Sequence, residues 1–347
     1  MSISHLSLFK RSNHFWYILY TQEGRTKWKS TGETLKSKAL KKLTEFKKLC
    51  ESKPKPTSLS QFWNEFKRFA KANYSKTTLG LMETAISHLK SITGECLLPS
   101  ITPEHVDRYK TLRLTTVNKL DRKVSPVTIN AELRGLRSVF NTAIRWKLLE
   151  SNPFAKLQML QSPDVPPAYL SKEDFQKLLA LINEAWLKDV IIFGTLTGMR
   201  RGEILNLKWS DIDLQRRIIQ VQSSLTFQTK QGKRRVVPMN DIIFHMLTSR
   251  MNNSVSEFVF SYRNKQIDED ILTHRFKEYV LNAGLNPRLH FHSLRHTFAS
   301  WLVQDGVSLY EVQKLLGHSN IAVTQVYSHL QPEGLHSTVN RISIPLN

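Results

Sequence analysis

The chain has 347 residues, enough for two or three domains with cores of their own, and its 40% hydrophobic content excludes a disordered polymer. Lys and Arg number 50 against 29 Asp and Glu, a net charge of +21 that solubility does not require. Such an excess points to a polyanionic partner, nucleic acid before an anionic membrane surface. No apolar run approaches the ~20 residues that span a bilayer, and MSISHLSLFKRSNHF lacks the apolar core of a secretory signal. Cys50 and Cys96 fit no metal spacing and read as reduced thiols of a cytoplasmic protein.

In chain order, FWYILY (15–20) and RTKWKST (25–31) read as strands about a hairpin at TQEG, with Gly24 in the turn. SLFK (7–10) adds a third strand, and LKSKALKKLTEFKKL (35–49) has helical spacing. Residues 1–56 hold 13 Lys/Arg against 4 Asp/Glu, a net +9, which suits a small sheet and basic helix that contact DNA. SKPKPTS (52–58) reads as a linker. Beyond it Leu59, Phe62, Trp63, Phe66 and Phe69 share one helical face.

TPEHVDRYKTL (102–112) opens a helix with Thr102 as N-cap and Pro103 in the first turn; Ser125 and Pro126 open the next in the same way. Its apolar stripe is Ile129, Leu133, Leu136, Phe140 and Ile144. Beside that stripe run Asn130, Arg134, Arg137 and Asn141, residue types that meet phosphates and base edges. Asn130, Arg134 and Arg137, together with Lys76, are the candidate DNA contacts, an ordinary solvated face being the other reading.

SNPF (151–154) closes this helical block, and LQSPDVPPAYLS (160–171) reads as a second linker. SKED (171–174) is a capping box for a helix expected to bury Phe175, Leu178, Leu179, Ile182 and Trp186. RRIIQVQSSLTF (216–227) and KRRVVPM (233–239) read as strands about TKQG (229–232), and the remainder as mainly helical.

Four stretches carry candidate chemistry. In TLTGMRRGEILNLKWSDID (195–213) an apolar helix ends at Thr197-Gly198, Arg200 starts a new helix, and Glu203 lies one turn on, placed to orient its guanidinium. An arginine's planar fork suits two phosphate oxygens. In LHFHSLRHTFASWLV (289–303) His292, Arg295 and His296 share a face, while Leu294, Phe298 and Leu302 face a core. His292 and His296 have the spacing of half a zinc site, but no Glu follows His292 and Arg295 would repel a cation. Such donors suit an anion. SLYEVQKLLGHSN (308–320) is a helix capped by Ser308 and Glu311 that stops at Gly317, with His318 in the turn. Lys230 sits in the TKQG turn, where a flexible tip can deliver it.

The order Arg, Lys, His-x-x-Arg, Gly-His, then Tyr327 nine residues later, resembles the tyrosine recombinase or phage integrase family. The matching text is TGMRRGEI, TKQGKRRVVP, HSLRHTFA, LLGHSN and VTQVYSH. The resemblance implies a multidomain fold, mainly α with small β-sheets. Residues 1–51 would be an arm-type DNA-binding domain of three strands and a helix, 57–155 a helical core-type DNA-binding domain, and 165–347 a mixed α+β catalytic domain with a tail. It implies that Tyr327 attacks a scissile phosphate to give a 3′-phosphotyrosyl bond, with no metal, cofactor or ATP. Arg200, Arg295 and His318 would stabilise the phosphate oxygens, Lys230 would protonate the leaving 5′ oxygen, and His292 would accept the tyrosine proton or bond the phosphate. The implied partners are double-stranded DNA at specific sites, a homotetramer on DNA, and accessory bending or directionality factors, in the cytoplasm at the nucleoid.

A tail at 331–347 carries an apolar patch, Ile342 to Leu346, for docking in cis or on a neighbouring subunit. The extra N-terminal domain favours a mobile-element integrase over a resolvase of chromosome dimers. Two other readings compete. A non-catalytic DNA-binding regulator would have lost one of these positions, and none is lost. A type IB topoisomerase uses similar Arg, Lys, His and Tyr chemistry and would relax supercoils as a monomer; the core-type block and the arm domain favour recombination.

Overall fold

The computed structural model describes residues 3–22, 25–51, 56–117, 121–162, 165–222, 234–252 and 254–331. They fall into two compact units, Met1–Pro163 and Asp164–Asn347. The first begins with an antiparallel sheet of β1 (Ile3–Lys10), β2 (Trp16–Gln22) and β3 (Arg25–Ser30), ordered β1-β2-β3. Helix α1 (Lys36–Glu51) packs on it, burying Ile18 and Ala39 and setting Phe46 5.2 Å from the ring of Tyr20. β3 is exposed along its whole length. Gly24, expected in the hairpin, lies outside the described residues.

The rest of this unit is helical: α2 (Leu59–Asn73), α3 (Lys76–Thr93), α4 (Pro103–Thr115) and α5 (Pro126–Arg145). Ser58, Ser75 and Ser125 each accept a hydrogen bond from a first-turn N–H, so one orphan donor in each of three of these helices is satisfied by the sequence itself. Leu59, Phe62, Trp63 and Phe66 meet Ile86, Leu89, Leu133, Leu136 and Phe140 in one core. Each such side chain contributes about 1.5–3 kcal/mol of apolar burial. Phe69 and Ile144 close its rim, half-buried. Inside it Glu132 takes both the Nε and Nη2 donors of Arg113 (2.9 and 2.7 Å) and the Tyr109 hydroxyl (2.8 Å).

The second unit runs α6 (Lys172–Leu181), α7 (Ala185–Thr197), α8 (Arg201–Leu205), β4 (Ile212–Asp213), β5 (Ile218–Val221), β6 (Arg235–Pro238), α9 (Asp241–Asn252), the strand pair β7 (Ser261–Tyr262) and β8 (Lys265–Gln266), α10 (Glu269–Asn282), α11 (Ser293–Gln304) and α12 (Leu309–Leu316). Strands β4, β5 and β6 form an antiparallel sheet in which Val221 pairs with Arg235. Apolar α7 is the axis of the core, with Val190, Ile191 and Phe193 meeting Ile204, Ile219, Val237, Phe276 and Leu294. A smaller cluster joins Ala299, Val303, Val312, Leu316 and Tyr327, with Phe298 and Leu302 against it.

One expected element is corrected. The helix after SKED stops at Leu181, Ile182 is extended (φ −78°, ψ 113°), and Trp186 belongs to α7. The break is held by tertiary contact: the Tyr279 hydroxyl donates to Asn183 Oδ1 (2.6 Å), anchoring the extended segment between the two helices, where the sequence has no Gly or Pro to mark it. Among the described residues no helix is long and apolar enough to cross a membrane.

Candidate active site

The site grows from three helix ends. Helix α7 stops at Gly198, whose φ of 62° is left-handed, and α12 stops at Gly317, with φ 67°. A side chain at either would be strained: a Cβ on Gly198 would strike the ring of Phe298, and one on Gly317 the side chain of Arg235. Each turn leaves carbonyls at a negative helix terminus unpaired by the ladder. Arg295, on α11 and only 3% exposed, spans both ends: Nη1 donates to Gly198 O (2.7 Å) and Nη2 to Leu316 O (2.6 Å). Burial, then the nearby guanidiniums of Arg200 and Arg235, lower its pKa.

Arg200 caps α8. Its N–H donates to Glu203 Oε2 (2.8 Å) and its Nη1 to Oε1 (2.9 Å), as the spacing implied. Glu203 is buried and holds a second arginine that the sequence reading passed over. Arg235, at the head of β6, grips it with both Nη1 (2.8 Å) and Nη2 (2.6 Å). Burial alone would push the Glu203 carboxyl up; the bonds from Arg235 and Arg200 override it and hold the carboxyl at about 2. Glu203 is therefore ionised throughout the neutral range, and it fixes Arg200 while leaving its fork partly exposed, at 22% of the side chain.

His318, in the turn after Gly317, lies with Nδ1 2.9 Å from the buried Thr324 hydroxyl, and Gln313 holds its backbone at both N–H and C=O. Burial, then Arg295, Arg200, His296 and Arg235, lower its pKa to about 4. His292 is exposed at the N-cap of α11. The protein packed about it, then His296, Arg295, His290 and Arg200, lower its pKa. Tyr327 sits on a 3-10 turn, Gln325–Leu330, and is 3% exposed. It is packing material and polar group at once: its ring completes the small core, and its hydroxyl lies 2.6 Å from His296 Nδ1. Burial raises the phenol to about 12 against the opposing pull of Arg295.

Arg200, Glu203, Arg295, His318 and Tyr327 thus share one electrostatic neighbourhood with His296 and Arg235. Among the described residues no group of three or more His, Cys, Asp or Glu side chains is placed to hold a metal ion. The arrangement can hold an anion and present a hydroxyl to it. Lys230 and the apolar tail patch lie outside the described residues.

The DNA-contact candidates divide. Lys76, the first residue of α3, and Arg134 on α5 are exposed. Asn130 is buried and corrects its assignment: its amide donates to Leu160 O and accepts from Leu160 N, both at 2.9 Å, so it pins the segment after the helical block. Arg137 is likewise spent inward, its Nε donating to Phe154 O (2.9 Å) and its Nη2 to Leu157 O.

The chain matches the phage integrase family over residues 168–333 and the phage integrase SAM-like domain over residues 58–159. It is 30% identical over 240 residues to tyrosine recombinase XerC of Pediococcus pentosaceus, an alignment covering 64% of this chain and 77% of that one. Among solved structures, a Tn1549 transposon integrase in complex with a circular intermediate DNA matches at a TM-score of 0.67 and 22% identity, over 82% of this chain and 99% of that one. A lambda integrase dimer bound to a COC′ core site matches at 0.63 and 16% identity, over 98% of this chain and 97% of that one. At these identities the likeness of the structures is one of fold.

Proposed function

The chain belongs to the phage integrase family of tyrosine recombinases, and from that premise we propose that it is an integrase that cuts and rejoins DNA at specific sites through a 3′-phosphotyrosyl bond at Tyr327, integrating or excising a mobile element. The observation that carries the reading is the buried Tyr327 hydroxyl beside Arg295, which in turn neighbours Arg200 and His318. Arg200 and Arg295 receive the non-bridging oxygens, where negative charge builds in the transition state. Glu203 holds Arg200 in place for this. His318 adds a hydrogen bond, and His292, exposed beside them, bonds the phosphate. Lys230 protonates the departing 5′ oxygen. The energy of the broken backbone bond stays in the tyrosyl ester until a second 5′-hydroxyl expels it, so ATP is not consumed. Cationic side chains take the place that divalent ions hold in other nucleases.

Residues 1–51 serve as the arm-type and 57–155 as the core-type DNA-binding domain, and 165–347 as the catalytic domain. The partner is double-stranded DNA, worked on by a homotetramer with accessory factors. Support for a mobile element comes from likeness of fold to integrases seen with a circular intermediate DNA and, as a tetramer, with a Holliday junction. The test is a nicked suicide substrate built from the genomic flanks. Wild-type protein is expected to be trapped covalently on it. Tyr327→Phe is expected to form no adduct while binding the same DNA within about twofold, since one hydroxyl adds little to an interface dominated by phosphate contacts. Equal loss of binding and adduct rejects the assignment of Tyr327.

A further inference from the structure

We propose that His296, rather than His292, is the base that takes the phenolic proton of Tyr327 as the tyrosine attacks DNA. The inference rests on the recombinase reading above and deepens it. His296 Nδ1 is 2.6 Å from the Tyr327 hydroxyl, whereas His292 is exposed at the helix N-cap, one turn earlier on α11. Tyr327 is buried, so bulk water does not compete for its proton. The proton acceptor within reach is the imidazole, in the tautomer that carries its hydrogen on Nε2 and leaves Nδ1 free.

The charges around His296 explain why the pair rests uncharged without DNA. His290, His292 and Arg295 face it from its own segment, with the two rings of His292 and His296 5.1 Å apart; His318 approaches from the turn after α12, and Tyr327 from the 3-10 turn. Burial, then His290 and Arg295, lower the histidine to about 4, and burial raises the phenol to about 12. Proton transfer is therefore strongly uphill in the free protein. A phosphodiester arriving between Arg200 and Arg295 brings a negative charge that offsets this cationic field and makes the imidazole more basic. The phenol loses its affinity for the proton as its oxygen bonds to phosphorus. The base thus gains strength when substrate is present.

The step balances. The bond from Tyr327 Oη to phosphorus forms, the bond from phosphorus to O5′ breaks, the phenolic proton moves to His296 Nδ1, and Lys230 gives a proton to O5′. In rejoining, the 5′-hydroxyl attacks phosphorus and yields its proton to the now neutral Lys230, the bond from phosphorus to Tyr327 Oη breaks, and His296 returns its proton to the departing phenolate.

The experiment measures single-turnover adduct formation by the full chain on suicide DNA between pH 6 and 10. It uses an ordinary phosphodiester and a bridging 5′-phosphorothiolate, whose sulfur leaves without an acid. His296→Asn is expected to slow cleavage about 100-fold at pH 7, to regain rate as pH rises, and to gain nothing relative to wild type from the phosphorothiolate. Difluorotyrosine at position 327, a more acidic phenol, is expected to restore much of the rate. Overturning results are His296→Asn within about threefold of wild type, or full rescue by the sulfur leaving group. Histidine nitrogen NMR on the wild-type chain tests the same point without a variant: a hydrogen on Nδ1 of His296 would reduce it to a tether and end the proposal. If Tyr327→Phe still forms an adduct, the recombinase reading fails first; if it does not and His296→Asn is fast, only this inference fails.

Discussion

Each half of the molecule buries a glutamate against arginine, and the two pairs end differently. Glu132 receives Arg113 bidentately together with the Tyr109 hydroxyl, and the Arg113 side chain is 6% exposed. The cluster is closed; its charge is consumed in joining α4 to α5. Glu203 is equally buried but divides itself between two arginines. Arg235 takes both carboxylate oxygens and is hidden, while Arg200 spends one Nη on the carboxylate and keeps the rest of its fork toward solvent. One carboxylate against two guanidiniums leaves a net positive charge with donors to spare. The same chemical pair builds a core in one place and, on the proposed function, an anion receptor in the other, and the two differ in stoichiometry.

The strongest way to break this comparison is to neutralise both carboxylates. Glu132→Gln and Glu203→Gln should each cost about 3–5 kcal/mol of unfolding free energy in denaturant titration, because a buried guanidinium loses its counter-charge. Only Glu203→Gln should also depress strand cleavage per folded molecule; an equal cleavage defect in Glu132→Gln would erase the distinction. Next, Arg200→Lys keeps the charge and removes the fork. Single-turnover cleavage should fall about 100-fold or more with stability changed little, since a point charge cannot match two phosphate oxygens.

A third test uses acid. Glu203 is held at about 2 against an ordinary 4.5, so its contribution is complete above about pH 4.5 and lost as pH falls toward 2. His296 and His318 are lowered to about 4, so their unfolded forms bind protons first and stability drains between pH 6.5 and 4. Hydrogen exchange, corrected for intrinsic rates, should therefore speed up in α11 more than in α5 across that range, although His88 shifts in the same direction beside α5. The smallest effect separates the neighbours on α5. Arg134→Ala should flatten the logarithmic salt dependence of DNA binding by about 1. Asn130→Ala should leave that slope intact and lower stability by about 1–3 kcal/mol, by stranding the Leu160 backbone.

What the sequence made legible was local. Ser125, Ser171 and Ser308 mark helix starts within three residues of the N–H groups they cap, and Arg200 with Glu203 is a one-turn pair. What it hid was closed by tertiary folding. Arg235 reaches Glu203 across 32 positions, and His296 reaches Tyr327 across 31. Helical spacing placed His296 on the right face, yet nothing in a linear pattern says which of two histidines a distant hydroxyl will find. The polar stripe on α5 failed for a related reason. Periodicity shows that Asn130 and Arg137 lie beside the apolar face, but the segment 154–160 returns across them and claims their donors.

The seat of Arg295 has one more consequence. Among the described residues its guanidinium is held by the last turns of α7 and α12, helices more than a hundred residues apart in the chain. On the proposed function, strand cleavage requires both helix ends to be in place, because either one alone leaves half of this guanidinium unheld. A chain that had lost one end would still carry its surplus of 21 positive charges to a duplex, and would grip without nicking. The two backbone carbonyls thus act as an interlock between binding and cutting.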